Sequence, residues 1–254
     1  MRGEDRRQLI MDLLVEHRSV DIDDLAERFS VSKMTIHRDL DELEQSGVLR
    51  KVRGGATADA GNQFESDFRI RVQQDAEAKD RMARQALSLI EPGMTVMIND
   101  GSMSAVLGSM LPQRRPLTVI TNNQAVISDL LGEAGITLLA LGGIYSAKFN
   151  AYSGVVTEES LHRLRADIAF ISAPAVSGLQ AFHMDDNIVR AKQAMMLAGT
   201  RKCLLINHSR FNRTALHVLS DLKAFDWIIT DDKPEANVVE DLKGAGLNLT
   251  IAKA

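Results

Sequence analysis

Residues 30–56 read SVSKMTIHRDLDELEQSGVLRKVRGGA, and the order of residue types in them decides how the first part of the chain folds. Ser32 is placed to cap a helix whose apolar positions Ile36, Leu40 and Leu43 recur at helical spacing, and Gly47 is placed to end it. The stretch VLRKVRGGA then alternates apolar and basic residues and closes on Gly54 and Gly55, the pattern of a short hairpin. Upstream, DIDDLAERFSVS gives a helix with Leu25, Ala26 and Phe29 on its apolar side and Asp21 as its cap. RRQLIMDLLVEHRSV gives another, with Leu9, Ile10, Leu13 and Leu14 on one stripe. Two short helices joined by Ser30-Val31-Ser32 make a helix-turn-helix, and the hairpin makes its wing.

The outward side of the third helix then carries Lys33, Met34, His37 and Asp41, with Thr35 and Arg38 towards its edges. Residues near the amino end of such a helix reach base edges in a major groove, and those at its sides meet phosphates. We assign Ser32, Lys33, Met34, Thr35, His37, Arg38, Arg50, Lys51 and Arg53 as the DNA-binding set. No acid stands between Gly47 and Ala56, so positive charge is concentrated at the wing although the formal net charge of the chain is -4. The flexible Gly54-Gly55 would let backbone approach DNA closely. Helix spacing alone leaves a protein-docking role for the bundle equally open.

Past a small polar stretch, 58–63, strand-like and helix-like segments alternate. The apolar runs are TVMIN, LTVIT, ITLLALG, IAFIS, CLLIN, WIIT and LNLTIA. Amphipathic stretches such as AKDRMARQALSLI, NQAVISDLLGEAG and NIVRAKQAMMLAG lie between most of them. That alternation predicts a mainly parallel sheet covered on both faces. The expected organisation is a winged helix-turn-helix domain over 1–57, a linker over 58–74, and a doubly wound α/β effector and oligomerisation domain over 75–254.

Ligands of parallel sheets bind beyond the carboxyl ends of the strands. The residues there are Asp100, Gly101, Ser102 and Ser104, then Thr121 and Asn122, then Gly142 and Gly143, and later His208, Ser209 and Arg210. Gly101 lets backbone approach, Ser102 and Ser104 offer hydroxyls, and the following helix start offers free N–H groups to an anion. Asp100 and Asn122 suit sugar hydroxyls, and Arg210 suits a phosphate or carboxylate. We take Asp100, Gly101, Ser102, Ser104, Thr121, Asn122, Gly142, Gly143 and Arg210 as the effector-binding set. Gly-Ser after a strand also reads as a plain turn, and Gly142-Gly143 as tight packing.

Titratable residues near these ends include Asp100, His183, Asp185, Asp186, Lys192 and His208. No spacing typical of a metal site, no phosphate-binding loop and no nucleophile elbow appears, so we expect no metal, no cofactor and no catalytic residue. Cys203 is the one cysteine, which excludes an internal disulfide and fits a reducing cytosol. The start MRGEDRRQLI is charged where a signal peptide is apolar, and the apolar runs fall short of a membrane span, so we expect a cytoplasmic protein.

The 30–56 stretch resembles the DeoR family of bacterial transcription regulators, whose pattern has the form S-x-x-T-I-R-R-D-L-x-x-L-E-x-x-G-x-L-x-R-x-x-G-G-A. His37 stands where the family usually has arginine. The likeness continues along the chain. The family's D-G-S-T loop meets Asp100, Gly101, Ser102 and Met103, its T-N meets Thr121 and Asn122, and its G-G-x-Y meets Gly142, Gly143 and Tyr145. Its later T-G meets Ser153 and Gly154, and its D-S-S-K-F meets Asn207, His208, Ser209, Arg210 and Phe211. The resemblance implies a sensor domain similar in fold to ribose-5-phosphate isomerase without the enzymatic role. It implies a double-stranded DNA operator, a phosphorylated sugar or related acid as effector, and a homo-dimer or homo-tetramer, which two-fold reading of half-sites also favours. The chain is then expected to be a repressor of a carbohydrate operon. Met103, Arg210 and Asn207 imply an effector other than a common hexose phosphate. The alternative is a sugar-phosphate isomerase carrying an accessory helical domain.

Overall fold

The second and third helices of the amino-terminal part each start on a side chain that accepts backbone N–H groups. Asp21 accepts from the amides of Asp23 and Asp24, and Ser32 Oγ accepts from that of Thr35 at 3.2 Å, as their positions in the sequence predict. The computed structural model describes residues 1–45, 49–57 and 67–253. Gly47 and the stretch 58–63 lie outside them. The chain divides into two compact units, Met1–Gln74 and Asp75–Ala254.

The first unit runs α1 (Gly3–His17), β1 (Ser19–Asp21), α2 (Ile22–Phe29), α3 (Lys33–Gln45), β2 (Arg50–Val52), β3 (Gly55–Thr57) and α4 (Phe68–Gln73). Ile10, Leu14, Ile36 and Leu40 are wholly buried at its centre. Leu9 departs from the expected stripe: it is exposed, and Met11 takes its place in the core. The wing is an antiparallel sheet of order β1-β3-β2. Its third strand, β1, was not expected from the sequence. Gly55 makes it possible, because a Cβ there would stand 2.1 Å from the Val20 carbonyl oxygen. Residues 68–73, placed in a linker by the sequence reading, form a helix instead, and its Ile70 joins the core of this unit.

Asp39 lies on the inner side of α3 and is buried. The Arg6 guanidinium of α1 meets it with two bonds, Nε to Oδ2 at 2.5 Å and Nη2 to Oδ1 at 3.1 Å. That hydrogen bond and the charge behind it raise the Arg6 pKa further, against the opposing effect of burial. A buried charge left without its partner is costly, and removal of Asp39 leaves the Arg6 guanidinium in that state. Asp39→Ala is therefore expected to destabilise this unit by about 3 kcal/mol, the low end for breaking a buried pair. Hydrogen exchange should show amides of α3 opening roughly a hundredfold more readily while the strands Thr95–Ile98 and Ala166–Ser172 of the second unit keep their protection.

The second unit runs α5 (Ala76–Leu87), β4 (Thr95–Ile98), α6 (Ser102–Met110), β5 (Leu117–Thr121), α7 (Gln124–Leu130), β6 (Ile136–Ala140), β7 (Ile144–Ser146), β8 (Ala151–Ser153), α8 (Val155–His162), β9 (Ala166–Ser172), β10 (Ala175–Ser177), β11 (Gln180–His183), α9 (Asp186–Ala198), β12 (Gly199–Leu205), β13 (His217–Asp221), β14 (Trp227–Thr230), α10 (Ala236–Gly244) and β15 (Leu249–Ile251). Seven strands form one wholly parallel sheet of order β15-β14-β12-β9-β4-β5-β6. They are the seven apolar runs of the sequence. The pleat divides their side chains. Val96, Ile98, Ile168, Phe170, Cys203 and Leu205 pack with α5, α6 and α7. Met97, Ala169, Ile171 and Leu204 pack with α8, α9 and α10 on the other face. A small antiparallel sheet, β10-β11-β13, and the β7–β8 hairpin are added to this frame. No helix among the described residues is long and apolar enough to cross a membrane.

Cys203 is fully buried in the central sheet. Desolvation, and then the nearby Asp226 charge, push its thiol far above the ordinary range. The folded protein should therefore be inert to a thiol reagent at pH 8, and full denaturation should release one reactive thiol per chain. Rapid labelling of the native state would contradict this burial.

Candidate functional site

The cations of the reading head fall into two groups. Lys33 Nζ lies 2.7 Å from Asp23 Oδ1 on α2, and Lys51 Nζ lies 2.6 Å from Asp41 Oδ1 on α3. Arg38, Arg50 and Arg53 are exposed, and among the described residues none has an ion-pair partner. Met34 is 63% exposed beside Lys33, while His37 and Thr35 are half-buried. Ser32 bonds Thr35 through both its cap and its hydroxyl. The sequence placed Lys51 among the groups facing DNA; the structure ties it to the recognition helix. Gly55, read as a point of close approach to DNA, is buried against Val20, and only Gly54 sits on the exposed turn, at φ +84°.

In the second unit the strand order reverses between β4 and β9. From β4 the chain moves outward through β5 and β6, and from β9 it moves the other way through β12, β14 and β15. Loops diverge at such a point and leave a crevice beyond the carboxyl ends. Asn99 anchors it. Its Oδ1 accepts from Ser104 Oγ at 2.6 Å and from the Ser172 amide at 3.2 Å. Asn123 Nδ2 donates to the carbonyls of Asn99 and Gly101, and its Oδ1 caps α7. Gly101 takes φ +105° as the residue before α6, a conformation that favours glycine.

Two hydroxyls of the expected effector set are committed to the loops themselves. Ser104 donates its proton to Asn99. Thr121 Oγ1 donates to the Ile98 carbonyl and accepts from the Asn123 amide. Both hold the loop and have no proton left to offer a ligand. Gly142 accepts from Thr157 Oγ1 at 2.6 Å, and a Cβ on Gly143 would lie 2.4 Å from that hydroxyl, so this pair serves the close packing of α8. Asp100, Gly101, Ser102 and Asn122 follow the carboxyl ends of β4 and β5, and all four are buried. Asn122 donates to the Tyr152 carbonyl at 2.7 Å, while its Oδ1 is buried with no hydrogen-bond partner among the described residues. Arg210 lies across β9, in the turn after β12. Its neighbours Asn207 and His208 are bonded to Asp231 at the end of β14.

Lys192 is the residue that sequence reasoning named but left out of the set. It is 2% exposed, donates to the Ser172 carbonyl at 2.8 Å and stands 3.5 Å from Asp100 Oδ1. Its signal in the sequence is a lysine interrupting the apolar stripe Ile188, Met195 and Met196 of α9. Two clefts lie elsewhere. One of about 310 Å³ is bordered by Gly93, Pro116 and Gly135 at the amino ends of β5 and β6. One of about 510 Å³ lies beside α10 and β15. Their walls carry no counterpart of the buried polar lattice. Among the described residues no group of three or more His, Cys, Asp or Glu is placed to hold a metal ion.

Lys192→Met leaves Asp100 buried without its cation. It is expected to destabilise the second unit by about 3 kcal/mol, and Asp100→Asn added to it should restore most of that. Urea unfolding followed by Trp227, the one tryptophan, reads both. Equal stability of wild type and the single variant would show that the pair carries no weight.

A model of the DeoR-like helix-turn-helix domain matches residues 6–61, and one of the DeoR C terminal sensor domain matches residues 74–232. The L-fucose operon activator of Escherichia coli strain K12 is 31% identical over 235 residues, covering 91% of this chain and 96% of that protein. The glycerol-3-phosphate regulon repressor of the same organism is 26% identical over 255 residues, covering 99% and 100%. Ribose 5-phosphate isomerase A from Methanocaldococcus jannaschii aligns at 16% identity with a TM-score of 0.40, over 54% of this chain and 55% of that one.

Proposed function

The chain belongs to the DeoR family of transcription regulators, and on that footing we propose that it is a cytoplasmic repressor of a carbohydrate operon. It binds its operator as a homo-oligomer and lets go when a phosphorylated sugar or sugar acid enters the strand-end crevice. It is not an enzyme: the crevice senses its ligand and does not turn it over. Matched relatives include both an activator and a repressor. Repression is the simpler outcome for a protein whose paired heads cover two half-sites.

The observation that carries the sensing role is the buried, unpaired Asn122 Oδ1. An acceptor left unmade in the interior costs about 1–3 kcal/mol, and a ligand hydroxyl is the group that would satisfy it. Asp100 stands ready for a second hydroxyl. The N–H groups that open α6, with the Ser102 hydroxyl, suit an anionic end. A phosphorylated polyol presents that combination. Operator release follows only if the ligand binds the two arrangements of the protein with different affinity.

The test is a thermal-shift screen of sugar phosphates and sugar acids, each hit rechecked by release of DNA from the region upstream of the protein's own gene. Arg53→Ala is expected to weaken that DNA binding about tenfold while leaving the thermal shift unchanged. Ser102→Ala is expected to do the reverse. Coupled loss of both functions in both variants would refute the division of labour. Turnover of a pentose phosphate by purified protein would favour the isomerase reading.

A further inference from the structure

One residue of the wing is gripped twice. Lys51 is the middle residue of β2, the outer strand of the wing. Its ammonium lies 2.6 Å from Asp41 Oδ1, and its backbone N–H, which faces away from β3, donates to Glu44 Oε1 at 2.7 Å. Asp41 and Glu44 are three residues apart on α3 and so project from one side of it. Two carboxylates of the recognition helix thus hold side chain and backbone of the same strand residue. Its chain neighbours include Arg50 and Arg53, both exposed.

We infer that Asp41 and Glu44 are positioning residues for DNA binding. They clamp the wing to the recognition helix and thereby aim Arg50 and Arg53 at phosphates, with Lys51 serving as the pin and not as a phosphate contact. This rests on the reading of the first unit as a DNA-binding head. Charge alone argues against placing carboxylates there, since each repels the polyanion it faces. An isolated exposed pair contributes little. What the second acceptor adds is geometry: a backbone donor on a strand edge cannot swing as a lysine side chain can, so the bond to Glu44 fixes where the strand runs.

The clamp and the bare charge predict opposite signs. Asp41→Asn with Glu44→Gln removes two negative charges. The probes are a duplex from the region upstream of the protein's own gene and a shuffled duplex of equal length and composition. With a clamp, the shuffled duplex binds as well as before or a few-fold tighter. The native duplex binds about tenfold more weakly, and the slope of log K against log salt becomes shallower by roughly 1–2, as it must when one or two phosphates are no longer neutralised. Asp41→Glu, which keeps the carboxylate, should stay within about threefold of wild type for the native duplex. The melting temperature checks that each variant is folded. Tighter or unchanged binding of the native duplex by the double variant, with an undiminished slope, overturns the clamp. Absence of salt-sensitive binding by the wild type overturns the reading of the head itself, a result distinct from the first.

Discussion

A carboxylate on the wrong side of a helix governs the first unit. Asp39 sits on the inner side of α3, where the core residues Ile36, Leu40 and Leu43 also lie. It can stay there only because the planar fork of Arg6 meets both of its oxygens. Arg7 adds a second cation at 3.6 Å and itself reaches Glu42. The rotation of α3 about its own axis is fixed by this contact in a way that apolar packing alone does not fix. Once it is set, Lys33, Met34, His37 and Asp41 have to face outward. Asp41 and Glu44 then stand where the wing strand passes, and the wing inherits its position from the same ion pair.

The second unit solves a related problem with amides. Where parallel strands end, their last carbonyls lose the neighbours that satisfied them. Asn123 Nδ2 fills such places on the carbonyls of Asn99 and Gly101, and Asn99 Oδ1 gathers the Ser104 hydroxyl and the Ser172 amide. The loops after β4, β5 and β9 become one lattice. A lattice so complete makes its gaps informative. Asn122 Oδ1 has no hydrogen-bond partner among the described residues, and a ligand that brought a donor would satisfy it. The isolated rims of hydroxyl and glycine residues visible in the sequence could not distinguish groups that hold the loop from groups that wait for a ligand.

That distinction marks the boundary of what was legible in the sequence. All seven strands of the large sheet were readable, because each is a run of apolar residues, buried on both faces in the central strands. The caps Asp21 and Ser32 were readable because capping is local. β1 was not, since three residues carry no period and the strand exists only where Gly55 admits Val20 from across the sheet. α4 was not, since FRIRVQ is too short to show a stripe and is held by Ile70 entering a core formed elsewhere. Asp39 and Lys192 each interrupt an apolar stripe with a charge. The interruption is visible in the sequence, but its partner lies 33 residues away in one case and 92 in the other, where no local pattern points.

The same chemistry explains how an acidic chain binds an acid. Lys33 and Lys51 of the reading head are paired with carboxylates at 2.6–2.7 Å, whereas Arg38, Arg50 and Arg53 are exposed and have no ion-pair partner among the described residues. A compact ammonium on a flexible stem accepts a single carboxylate and swings with it. A guanidinium keeps donors in a fixed plane even when one edge is occupied. At these exposed positions lysine serves as the tether and arginine is left for the phosphate, and the excess of acid in the sequence need not be cancelled for binding to occur. It has only to be held by the lysines, so that its field is met locally before it reaches the DNA.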